Sequence, residues 1–165
     1  MASSLQVGAI VGTRLADLAL LQPAFREAIE GLLRDLEAAG IPLQVFETGR
    51  SPGRQEALYA RGRDPEAADY GRIATRARGY QSAHQFGLGV DLVFHVYGRW
   101  TWTEPEPGHW DEMTRLARTR GLEPLSSERP HLQPAGFSSR GRDYGPTDDD
   151  AWLAWLRAGA SGLHA

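Results

Sequence analysis

Residues 82–97 read SAHQFGLGVDLVFHVY, and the second half of this stretch decides the fold. From Gly89 to Tyr97 the side chains alternate as a strand requires: Val90, Leu92, Phe94 and Val96 on one face, Asp91, Val93 and His95 on the other. Gly98 predicts a turn into a second strand carrying Trp100 and Trp102. Upstream, Phe25, Ile29, Leu32, Leu33 and Leu36 recur at spacings of three and four, the buried stripe of a helix. Asp17 or the residues just before Pro23 start that helix, and Gly40 ends it. Pro42–Thr48 is predicted as a short strand, with Leu43, Val45 and Glu47 opposite Gln44 and Phe46. Ser51 and Pro52 open a second helix that runs to Ala60. Trp110, Met113, Leu116 or Ala117, and Arg120 trace a third helix stopped by Gly121. Arg129–Gln133 reads as a short edge strand, and Ala151–Ala158 as a final amphipathic helix. Helices and strands mix without βαβ regularity, which predicts an α+β fold: a small antiparallel sheet flanked by helices.

The 165 residues suit a single domain over 1–165. There is no cysteine, so disulfides, thiolate zinc fingers and a cysteine nucleophile are excluded. All 18 basic residues are arginine, which excludes lysine-based catalysis. Net charge is -3 and the arginines are scattered, which argues against nucleic acid as a partner. The amino terminus lacks the basic start of a secretory signal, and its apolar run Val7–Val11 is too short to span a bilayer. The expectation is synthesis in the cytoplasm without membrane insertion.

Chemistry concentrates in two segments, Ser82–Asp91 and Glu128-Arg129-Pro130-His131. A catalytic zinc takes three protein ligands and leaves one position open. His84 and Asp91 flank a glycine-containing turn that brings a loop residue back beside the strand it enters. Asp91 lies opposite Val90, Leu92 and Phe94 and so need not enter the core. His131, with Pro130 and Leu132 turned away, completes a two-histidine, one-carboxylate set. Glu128, three residues earlier, is then placed to act as base without ligating. Residues 61–81 are polar and aperiodic, a long loop of the kind that is more often functional than idle.

Ser82-x-His84-x-x-Gly87-x-Gly89-x-Asp91 followed by Glu128-x-x-His131 closely resembles the D-Ala-D-Ala carboxypeptidase and L-alanyl-D-glutamate endopeptidase family of zinc peptidases, the LAS metallopeptidases. Gly89 stands where the family pattern has alanine, which on sequence is a mild change. The resemblance extends to Glu47-Thr48-Gly49-Arg50-Ser51-Pro52, Gln55, Ala57-Leu58-Tyr59 and Arg61-Gly62-Arg63, which look like the endolysin-like, phage and bacterial endopeptidase branch. It covers a core of about residues 20–135 and leaves 136–165 as a carboxy-terminal extension. Leu132 departs from the family, where many relatives carry an aromatic, and this bears on pocket shape rather than on the metal.

The resemblance implies a Hedgehog/DD-peptidase-like fold, Zn2+ held by His84, Asp91 and His131, Glu128 as catalytic base, and peptidoglycan stem peptides as substrate. It also implies that Arg50 contacts substrate or the developing oxyanion, against the alternative of a surface arginine. Gln55, expected on the exposed face of its helix, is either a substrate contact or a solvated side chain. Ser82 orients His84, touches substrate, or simply turns the chain. His95 reads as a solvated strand residue or a partner to the site, and His109 and His164 are assigned nothing. Asp148-Asp149-Asp150 reads as the acidic first turn of the last helix. The expected reaction is L-Ala–D-Glu cleavage, with D-Ala-D-Ala carboxypeptidase as the alternative. A catalytically silent peptidoglycan-binding or phage-particle module is the reading from another class. A leaderless chain suits a lysis enzyme released to the wall or carried by a phage-like particle.

Overall fold

The computed structural model describes residues 13–159; His164 lies outside them. Helix α1 (Pro23–Ala38) begins at its proline and is followed by Gly40 at φ 70°, a left-handed position that favours glycine. Asp17 caps a short 3-10 turn, Leu18–Leu20, ahead of that helix. The sheet contains β1 (Leu43–Glu47), β2 (Val90–Val96), β3 (Arg99–Thr101), β4 (Leu122–Leu125) and β5 (Glu128–Pro134), every pair antiparallel. Its order is β1-β2-β5-β4, with β3 paired to the far end of β2. Strand β4 is absent from the sequence reading because Leu-Glu-Pro-Leu is short and holds a proline. Helices α2 (Pro52–Ala60), α3 (His109–Arg118) and α4 (Asp149–Arg157) complete the α+β fold.

One apolar core joins Phe25, Ile29 and Leu32 of α1 to Val90, Leu92 and Phe94 of β2 and to Trp110 and Met113 of α3. Strand β2 is buried on both faces: Val93 is fully enclosed and Asp91 is only 8% exposed. The polar face of β2 is therefore not a solvent face. It forms the floor of the site.

Two irregularities in strand pairing decide what else stands on that floor. In β1, Leu43, Gln44 and Val45 pair regularly with Phe94, Val93 and Leu92, but Glu47, not Phe46, stands opposite Asp91. The extra residue reverses the alternation, as a bulge does. Glu47 leaves the face of Leu43 and Val45, where simple alternation puts it, and joins Asp91. In β5 the pairing with β4 passes from Pro124↔Leu132 to Leu125↔Glu128, so β5 advances four residues while β4 advances one. Three extra residues again invert the face. Regular pairing would set Glu128 with Leu132 on the core side; the bulge sets it on the side of His131.

Helix α4 belongs to the same core through Trp152, Leu153 and Leu156. Asp148 caps it by accepting from the Ala151 amide (2.9 Å). The buried Asp149 reaches across to α2, accepting from Ser51 Oγ (2.7 Å) and the Gly53 amide (2.9 Å). Its carboxylate thus meets donors at the positive end of α2, where a negative charge is favoured. Trp152, fully buried, donates its indole N–H to the carbonyl of Gln85 (3.0 Å), next to His84. Asp149→Ala leaves Ser51 and Gly53 without their acceptor and is expected to destabilise the fold by about 2–3 kcal/mol. Exposed Asp143→Ala should stay within about 0.5 kcal/mol of the parent. Urea unfolding of both variants at fixed metal content checks the difference.

Candidate metal centre

Asp91 and His131 stand directly opposite each other on β2 and β5, where cross-strand side chains are near neighbours. The third member, His84, sits on the 3-10 turn Ala83–Phe86 that leads back into β2. Ser82 caps this turn, accepting from the His84 amide (3.4 Å), while the Gln85 side chain accepts from the Ser82 amide (3.2 Å). The Ser-x-x-Gln spacing of this capping box is visible in the sequence. Gly87 then turns the chain at φ 67°. A side chain there would lie 2.7 Å from the Leu20 carbonyl oxygen.

His84, Asp91 and His131 are all buried, and their ligand atoms lie within 4.8 Å of one another. His84 Nε2 is 3.1 Å from Asp91 Oδ1 and 3.1 Å from His131 Nδ1, which is itself 3.2 Å from Oδ1. The outer nitrogens show which atoms face inward. His84 Nδ1–H donates to the Thr48 carbonyl (2.6 Å), and His131 Nε2–H donates to Gln133 Oε1 (3.1 Å). With the protons held there, two imidazole lone pairs and a carboxylate oxygen converge on one point. A tetrahedral site with bonds of about 2.0–2.1 Å has edges of about 3.3 Å. The donor set therefore fits zinc in type, count and spacing, and the outer partners are those that orient metal-binding histidines.

The charges agree. Burial pushes the Asp91 carboxyl up, but the His84 and His131 imidazoles outweigh it and hold Asp91 well below the usual carboxylate range. Burial, reinforced by the nearby Arg50 cation, lowers the His84 pKa and so favours the neutral ring that a metal needs.

Arg50 is not a surface arginine: acceptors within the protein hold its guanidinium. It is only 8% exposed. It donates to Glu47 through Nε (3.0 Å) and Nη2 (2.7 Å), to Asp91 Oδ2 through Nη2 (2.9 Å), and to Gln55 Oε1 through Nη1 (3.2 Å). Burial works against its charge, yet the Asp91 and Glu47 carboxylates win and raise its pKa. Glu47, to which the sequence assigns no role of its own, also accepts from Arg54 (2.5 Å). Gln55 is fully buried rather than on an exposed helix face. Besides accepting from Arg50 and from Gln85 (3.3 Å), it donates to the Ala77 carbonyl (2.7 Å), tying the long loop to the site. Gln133 was equally unmarked, although its spacing of two from His131 already put both on one face.

Glu128 is exposed and lines two clefts that meet at the ligand set. One, of ≈ 300 Å³, is bounded by His131, Ser82, Gln133, Phe137 and Arg140. The other, of ≈ 550 Å³, is bounded by Asp91, Arg54, Arg61, Trp102 and Trp110. Arg50, Thr75 and Glu128 border both. His95 turns to Trp100, ring centroids 4.7 Å apart, and takes no part in the ligand set.

Residues 18–122 match the family model VanY, D-alanyl-D-alanine carboxypeptidase. The chain belongs to that family. Among curated proteins it is similar to the peptidoglycan L-alanyl-D-glutamate endopeptidase CwlK of Bacillus subtilis (strain 168), 30% identical over 110 residues. That match spans 62% of this chain and 64% of CwlK, less than two thirds of the relative. Among solved structures the fold is shared with the LdcB LD-carboxypeptidase (TM-score 0.54, 17% identity, 73% of this chain and 60% of that one). It is shared too with the L-Ala D-Glu endopeptidase ChiX of Serratia marcescens (TM-score 0.50, 21% identity, 78% and 95%). The L,D-carboxypeptidase DacB from Streptococcus pneumonia is a third such structure (TM-score 0.51, 21% identity, 87% and 74%).

The alanine of the family pattern is not a mild replacement for Gly89. A Cβ there would lie 2.7 Å from the His84 backbone nitrogen and 3.1 Å from His131 Cε1. Gly89→Ala is expected to push the two histidines apart, and Gln133→Ala to release the His131 ring. Each should weaken metal binding roughly 10–100-fold. Competition of the purified variants against a chromogenic chelator measures this, and His131→Ala should abolish stoichiometric binding.

Proposed function

We propose that this chain is a zinc-dependent peptidase of peptidoglycan stem peptides that cuts the L-Ala–D-Glu bond, with His84, Asp91 and His131 as ligands. The observation that supports the choice of bond is the pair of clefts meeting at the ligand set. An endopeptidase must accommodate chain on both sides of the scissile bond, whereas a carboxypeptidase needs one end closed.

The chemistry a zinc ion supplies when bound there is that of a Lewis acid, polarising a carbonyl and lowering the pKa of water to about 7. Glu128, at the junction of the clefts, takes the proton of the attacking water on a carboxylate oxygen and returns it to the leaving amine. Arg50 is a positioning residue: its guanidinium pins Asp91 Oδ2, so that Oδ1 stays turned toward the histidines. Glu47 and Gln55 hold Arg50 in turn. Ser82 acts through the His84 turn that it caps.

Glu128→Gln is expected to retain one zinc per chain while losing about 10²–10⁴-fold in turnover. Incubating the protein with peptidoglycan and identifying the products by mass spectrometry tests the bond. Peptides beginning with D-Glu support the reading. Free D-Ala alone replaces it with D-Ala-D-Ala carboxypeptidase activity, the description carried by the family model. No product from zinc-loaded protein removes the peptidase reading.

A further inference from the structure

Resting on that reading, we infer that Arg140 recognises a substrate carboxylate in the cleft beside His131. Arg50, the arginine of the motif, is buried and already engaged by two carboxylates and an amide, so a substrate anion needs another partner. Arg140 is the second arginine on the wall of that cleft. It is exposed, and no acidic side chain among the described residues pairs with it. Around it the cleft offers neutral hydrogen-bonding groups: Gln81, Ser82, Ser138 and Ser139, with Glu128 the one acid. An unpaired guanidinium among hydroxyls and amides is the chemistry that receives a carboxylate.

The segment that carries Arg140 is anchored. Phe137 packs against the core and lies 6.1 Å from the Phe86 ring. Arg142 donates through Nε to the Ser138 carbonyl (2.8 Å) and places its guanidinium over the Phe137 ring at 4.9 Å. Ser138 Oγ accepts from the Arg140 amide (3.2 Å). Farther on, Tyr80 stacks on Tyr144 at 5.3 Å and donates to the Pro146 carbonyl. Arg140 thus projects from a braced wall, so little backbone ordering opposes binding.

The substrate supplies a fitting anion. D-Glu continues the stem through its γ-carboxyl, which leaves its α-carboxylate free beside the scissile bond; the terminal D-Ala carries another. Three zinc-loaded assays separate these sources. The peptides are L-Ala-γ-D-Glu-diamino acid-D-Ala, the same with the D-Glu α-carboxylate as carboxamide, and the same with the terminal carboxylate as carboxamide. Arg140→Ala should lower kcat/KM about ten- to a hundred-fold, chiefly through KM, on peptides that keep the recognised carboxylate. The preference for that carboxylate over its amide should collapse, Arg140→Lys should recover part of it, and Arg115→Ala on α3 should leave it intact. Whichever amide abolishes the difference between parent and variant identifies the carboxylate bound. An equal fall on all three peptides, or no fall, overturns the inference.

Calorimetric titration of the first peptide into Glu128→Gln protein, with and without Arg140→Ala, reads the contact without turnover. If the parent cleaves none of the peptides, the peptidase reading fails and this titration decides Arg140 alone. Equal affinities, or no binding, count against it.

Discussion

Asp91 faces two ways at once, and the site depends on that division. Oδ1 lies between the imidazoles of His84 and His131, while Oδ2 receives the Arg50 guanidinium. A carboxylate this deeply buried would ordinarily take up a proton; here the His84 and His131 imidazoles outweigh burial and keep it ionised. Arg50 would be equally unstable alone, and Glu47 supplies its second counter-charge. Glu47 is balanced in turn by Arg54. Removing any member leaves a buried charge without its partner, which is far costlier than the pair is stabilising. The network therefore behaves as one unit.

Much of this was legible in advance, for reasons that differ between elements. Helix α1 announces itself through the periodic stripe from Phe25 to Leu36, although Asp17, one of its two candidate starts, caps a separate turn, and α2 agrees with its serine–proline start to the residue. That Asp91 and His131 face each other was legible because alternation along β2 and β5 fixes which residues share a face, whereas His84 sits on a turn that alternation does not reach. Alternation fails where pairing slips. Glu47 was assigned to the wrong face, and the means by which Glu128 joins His131 was invisible, because a bulge is written in the partner strand as much as in the strand itself. Gln55 was misplaced for another reason: a polar residue on a short helix reads as solvated unless one knows that a distant loop covers it.

The final helix shows a similar limit. Three consecutive aspartates look like helix-dipole decoration, and Asp148 does serve as the cap. Asp149 instead forms a tertiary bond to α2, and Trp152 reaches the backbone beside His84. No local pattern separates an aspartate that caps its own helix from a neighbour that clasps another. The consequence is that residues beyond the stretch matched by the family, 18–122, brace both the His84 turn and the start of α2.

The two bulges make chain length itself part of the chemistry. A substitution at Phe46 or Arg129 changes a side chain and leaves the pairing frame alone. Deleting one residue at either place would remove chain that the bulge takes up and draw the residues beyond it along the sheet. For β1 this would shift Arg50 and the start of α2 relative to Asp91; for β5 it would tighten the connection between Glu128 and His131. Homologues of this chain should therefore keep the residue count between Leu43 and Glu47, and between Glu128 and His131, while tolerating other residue types at Phe46 and Arg129.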